Sequence, residues 1–123
     1  MRSYFLVRAA ALIFAAFALA SPKAGAHAVI VESSPAAGAE IPSGDADIML
    51  RYNSRIDHLR SRLTLVSQDG VSRPLPILPD SAPDVIAAKA SGLTPGQYRL
   101  RWQVLAVDGH LTRGDIPFRV DHP

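Results

Sequence analysis

Tyr98-Arg99-Leu100-Arg101-Trp102-Gln103-Val104-Leu105-Ala106 is the stretch on which the fold turns. Tyr98, Leu100, Trp102, Val104 and Ala106 fall on one side of an extended chain, and Arg99, Arg101 and Gln103 on the other. A period of two over this length is a strand with one face in a core and one in water. Ile116, Phe118 and Val120 repeat the pattern, with Asp115 and Arg119 turned outward. Working outward, further strands are expected at 28–32, 47–52, 62–67, 71–75 and 84–90. The spacers carry turn chemistry. Gln68-Asp69-Gly70 is a tight hairpin turn, and Leu93-Thr94-Pro95-Gly96-Gln97-Tyr98 leads through proline and glycine into a strand tyrosine, like the tyrosine corner of Greek-key sandwiches. Nine prolines spread over 27–123 leave little room for long helices. The fold class is therefore all-β: a small Greek-key sandwich or barrel, immunoglobulin-like, of about seven strands. Tyr52, Tyr98, Trp102 and Phe118 are the aromatics of this region, and Trp102 is expected at the centre of its core.

The N-terminal part follows a different logic. Arg2 and Arg8 flank a basic start, and Ala9–Ala20 is a run of twelve apolar residues without a charge. A membrane-crossing helix needs about 20 such residues, so the run fits the apolar core of a cleavable secretory signal instead. Ser21 and Pro22 break it, and Ala24-Gly25-Ala26 supplies a small-x-small cleavage pattern. Residues 1–26 are read as the signal peptide and 27–123 as one domain that does not span a membrane. Cutting after Ala26 makes His27 the first residue; Ala18-Leu19-Ala20 is a competing site that would leave Ser21 first.

Composition removes whole classes of function. The 123 residues hold 13 Lys and Arg against 11 Asp and Glu, but three of the cations (Arg2, Arg8 and Lys23) belong to the leader. The remaining domain has a net charge of −1. That argues against nucleic acid, which needs a concentrated basic face. With no cysteine, disulfides, thiol catalysis, iron–sulfur clusters and zinc fingers are excluded. No phosphate loop, nucleophile elbow or HExxH helix is present.

Three residues nevertheless make a metal site conceivable. An N-terminal histidine offers its free amine and its imidazole Nδ1 as a chelate from one residue, and an amine of reference pKa near 8 yields its proton readily to a metal. Asp108-Gly109-His110 follows the longest strand. In extended backbone residues i and i+2 share a side, so Asp108 and His110 can converge, with Gly109 removing bulk and permitting a turn. The competing reading is a solvated hairpin loop whose aspartate caps its own backbone. Taken together, His27, Asp108 and His110 supply an amine, two imidazoles and a carboxylate. That set suits Cu(II), which also heads the affinity order of divalent first-row ions; zinc is the alternative for the same atoms, though an amine–imidazole site is less typical of it. Cu(I) would call for sulfur, and the domain's one methionine, Met49, lies in a strand pattern that assigns it to core packing.

The chain resembles the periplasmic copper-binding proteins of the CopC/PcoC type over essentially all of 27–123. The resemblance is carried by His27-Ala28, by Ser34-Pro35-Ala36-Ala37-Gly38, by Leu93–Tyr98 with Trp102, and by Asp108-Gly109-His110 followed by Gly114 and Phe118. It implies a Greek-key barrel or sandwich that binds one Cu(II) through His27, Asp108 and His110. It further implies a carrier or buffer in copper homeostasis and resistance, and handover to an inner-membrane copper transport protein of the CopD type. The chain departs from the methionine-rich members, because 67–79 holds no methionine. A monomer and no catalysis are expected. The alternatives are a copper mono-oxygenase, which also uses an N-terminal histidine but generally on a larger scaffold, and a metal-free interaction module. His58 is read as part of a solvated basic segment, with a second metal site as its alternative, and His122 as a fraying terminus. Arg99, Arg101 and Arg119 are read as an exposed sheet face.

Overall fold

The computed structural model describes residues 28–122. The leader, its cleavage point and His27 lie outside the described residues. Eight strands form two sheets: β1 (Ile30–Ser34), β2 (Glu40–Ile41), β3 (Gly44–Tyr52), β4 (Arg62–Ser67), β5 (Ser72–Pro74), β6 (Val85–Leu93), β7 (Gly96–Leu105) and β8 (Leu111–Val120). One sheet has the order β1-β3-β6 and the other β2-β8-β7-β4-β5. The chain changes sheet repeatedly, and the pairings are antiparallel except for β2 on β8. This is the immunoglobulin-like sandwich expected. Two strands differ from expectation. β2 is only two residues long and has no period to read, and β8 begins at Leu111 rather than near Ile116.

Alternation along β3, β6, β7 and β8 builds the core. Ile48, Leu50, Ile86, Leu100, Val104 and Val120 are almost fully buried, and Phe118 stacks on Tyr98 with centroids 5.6 Å apart. The tyrosine corner is present: the Tyr98 hydroxyl donates to the Thr94 carbonyl at 2.9 Å. At the 68–70 turn the Ser67 hydroxyl and backbone N–H groups donate to Asp69, holding its carboxyl below the usual carboxylate range.

Two assignments need correction. Trp102 is half-buried, not central, because facing aliphatics of both sheets already fill the centre. Its indole spreads toward β8, over Gly114, and meets Tyr52 edge to face at 5.5 Å. Met49 lies between the buried Ile48 and Leu50, so it faces away from the core on the outer side of the three-stranded sheet.

The Tyr52–Trp102–Gly114 stack generates two outcomes of opposite sign. A Cβ at Gly114, which pairs with Trp102, would meet the indole at 2.6 Å. Gly114→Ala should therefore destabilise by about 1–3 kcal/mol through overpacking. The Tyr52 hydroxyl is buried with no hydrogen-bond partner among the described residues, and burial pushes its pKa up. Tyr52→Phe should raise stability by about 1 kcal/mol, because it removes an unsatisfied polar group and keeps the ring. Urea unfolding of both variants reads the two signs directly.

Candidate metal centre

β7 and β8 pair without interruption from Gly96↔Val120 to Leu105↔Leu111, so five residues, 106–110, close the hairpin. The Ala106 N–H donates to the His110 carbonyl at 3.0 Å, and the Gly109 N–H to the Ala106 carbonyl at 2.9 Å. Gly109 takes φ +89°, which a residue with a Cβ avoids. The loop is thus a tight turn rather than extended chain, and that turn brings Asp108 and His110 together.

Asp108 does two things at once. Its Oδ1 accepts the His110 backbone N–H at 3.0 Å, the self-capping expected of a loop aspartate, and its Oδ2 lies 3.2 Å from His110 Nδ1. The capping and convergence readings are therefore both realised by one side chain. The Asp108 side chain is about one-third exposed (32%) and that of His110 about half (54%), which leaves both accessible to an ion. Two donors at right angles around a first-row ion, each about 2.0 Å away, stand about 2.8 Å apart. The 3.2 Å between Asp108 and His110 is near that figure, and is also the distance of an ordinary hydrogen-bonded pair. Among the described residues no group of three or more His, Asp, Glu or Cys gathers to hold a metal.

The start of the described chain lies beside this loop. Ala28 is buried, and its carbonyl accepts from Thr112 Oγ1 at 3.4 Å, two residues beyond His110. Val29 is anchored next to it, its N–H donating to Asn53 Oδ1 at 2.8 Å while its carbonyl accepts the Asn53 N–H at 3.0 Å. Two supports escaped sequence reasoning. Buried Ser61 receives the Leu105 N–H and donates to the Asp57 carbonyl, fixing the last residue of β7 to the turn at His58–Arg60. His58 itself is half-buried, and its Nε2 contacts the Val85 carbonyl at 2.6 Å and ties the turn to β6. Asp57, capping Leu59 and Arg60 from just before the turn, is the one signal that marks it in sequence. His122 is exposed, two residues past the end of β8.

The CopC domain profile matches residues 30–121. The chain belongs to the CopC family. Copper resistance protein C of Xanthomonas campestris pv. juglandis is 32% identical over 120 residues, spanning 91% of this chain and 94% of that protein. The crystal structure of CopC from Methylosinus trichosporium OB3b matches with a TM-score of 0.68 at 25% identity, over 78% of this chain and 95% of that one. PcoC from Escherichia coli, described as a methionine-rich copper resistance protein, shares the CopC fold at a TM-score of 0.66 and 22% identity, over 78% of this chain and all of that one.

The left-handed turn at Gly109 is testable on its own. Gly109→Ala should cost about 1 kcal/mol, with the loss appearing as faster amide exchange at Ala106 and His110.

Proposed function

We propose that this CopC-family chain is a periplasmic copper carrier or buffer. In this reading it holds one Cu(II) through the amine and imidazole of His27 together with Asp108 and His110. The observation that carries the proposal is the Asp108–His110 pair, whose 3.2 Å separation is near that of adjacent ligands in a square plane. Its second support is the Thr112–Ala28 hydrogen bond. That bond holds Ala28, the residue after His27 in the sequence, beside the strand that leaves the loop. The relative named for copper resistance supports copper as the cargo. The donor set supports Cu(II): nitrogen and carboxylate, no cysteine, no methionine in 67–79, and Met49 on a sheet face rather than in the loop. Four protein donors would complete the square plane, which favours chelation and release over turnover.

Export through a cleaved leader, with His27 as the new terminus, belongs to the same reading. So does delivery to an inner-membrane copper transport protein. No helix among the described residues is long and apolar enough to cross a membrane.

Native mass spectrometry of the exported protein with one equivalent of Cu(II) tests this. A chain beginning at His27 should gain one copper. His110→Ala should weaken binding by at least about 100-fold, given that loss of an outer-shell partner alone costs 10–100-fold. Met49→Leu should change nothing. A chain beginning at Ser21, or His110→Ala binding as before, overturns the proposed site.

A further inference from the structure

The outer face of the five-stranded sheet carries a charge pattern that the metal site does not use. Alternation sends Arg62 of β4, Arg99 and Arg101 of β7, and Arg113 and Arg119 of β8 to this side, against one strand acid, Asp115. Three of the five are compensated. Arg101 and Arg99 share Asp115 at 3.1 and 3.8 Å, and Arg119 meets Glu40 and Asp121 at the β2 edge. Arg62 and Arg113 have no acidic partner among the described residues. They flank Gln103 in one row across β4, β7 and β8, which sets them two strand spacings, about 10 Å, apart.

That row is not placed at random. The next row toward the hairpin end is Leu105↔Leu111, with Leu111 exposed, and the loop bearing Asp108 and His110 follows at once. Val107, also exposed, lies in that loop. An apolar strip between two uncompensated guanidinium groups and the ion-binding tip is a self-consistent docking surface. Its centre can be desolvated, and its flanks want carboxylates in fork geometry.

We propose that this end of the sheet, from Leu111 to the Arg62–Gln103–Arg113 row, docks an acidic protein surface that takes or delivers the ion held at the loop. The partner presents carboxylates about 10 Å apart beside an apolar contact. Protein is favoured over an anionic membrane because the outward positions of β4, β7 and β8 carry no aromatic residue to enter lipid. Two arginines contribute only about 1 kcal/mol each near an anionic surface, less than stable attachment needs. The inference rests on the copper reading for its purpose, but not for its residues.

The test is an NMR titration of the isotope-labelled protein with a capped glutamate-rich octapeptide containing leucine, and separately with phosphatidylglycerol vesicles. The expected result is peptide-induced shifts confined to Arg62, Gln103, Leu111, Arg113 and their neighbours, fading as salt screens them. The Arg62→Glu, Arg113→Glu double variant should bind the peptide at least tenfold more weakly and still take up Cu(II) as the parent does. Shifts spread equally over Arg51, Arg73 and Lys89 would overturn the proposal. So would vesicle binding without peptide binding, or unchanged peptide affinity in the double variant. Copper uptake by the parent protein, measured on the same preparation, separates failure of the metal site from failure of the docking face.

Discussion

The ten-pair register of β7 against β8 is the constraint on which the rest of the molecule depends. Strand side chains alternate with a period of two, so a slip of one residue would exchange the two faces of the strand. Leu100 and Val104 would go to solvent, and Arg99 and Arg101 would enter an apolar interior with no carboxylate to receive them. Desolvating even one guanidinium costs several kcal/mol, so the correct register is strongly selected. The same register decides how much chain is left to close the hairpin. Five residues remain, and with Gly109 left-handed they can do little other than fold Asp108 back onto His110.

What stands beneath the loop is equally determined. The inward positions of early β8 are Thr112 and Gly114, both small. Opposite them, β7 offers Val104 and Trp102, so bulk on one strand is matched by space on the other. The indole fills the room above Gly114 and receives the edge contact with Tyr52, while Thr112 uses its hydroxyl on the Ala28 carbonyl. The first described residue of the domain is thereby held against the strand that leaves the loop. Aromatic packing and a single side-chain hydrogen bond convert a sheet register into the position of a site.

The same small residues explain what was and was not legible in the sequence. Tyr98–Ala106 declares its faces through large apolar side chains, so the strand and the sandwich could be read from it. Leu111–Asp115 alternates as faithfully, but its inward residues are Thr112 and Gly114, and a pattern written in small residues does not register as hydrophobic. β2 is too short to carry a period. Its place on the longest strand puts Trp102 at the centre of the expected core, but a centre already filled by leucine, isoleucine and valine pushes the largest ring to its margin. At the loop, the three-residue motif and the turn its glycine permits are legible; that the left-handed Gly109, rather than strand alternation, brings the ends together is not. Ser61 and His58 gave no signal, because their partners are backbone groups distant in sequence.

The Thr112–Ala28 bond joins positions 84 residues apart. An ion gripped from both sides of that seam would close nearly the whole described chain into one ring. The entropy removed from an unfolded chain by such a closure grows with the logarithm of its length, and by analogy with a disulfide of similar span it is worth about 4–5 kcal/mol. Filling the site would then be indistinguishable from fastening the domain, with the free-ion concentration acting as a variable of its stability. With the site empty, β1 pairs only with β3 at the edge of the smaller sheet, and the Thr112–Ala28 bond is left to hold the start of the strand. Such a protein would be easiest to dismantle when its site is empty.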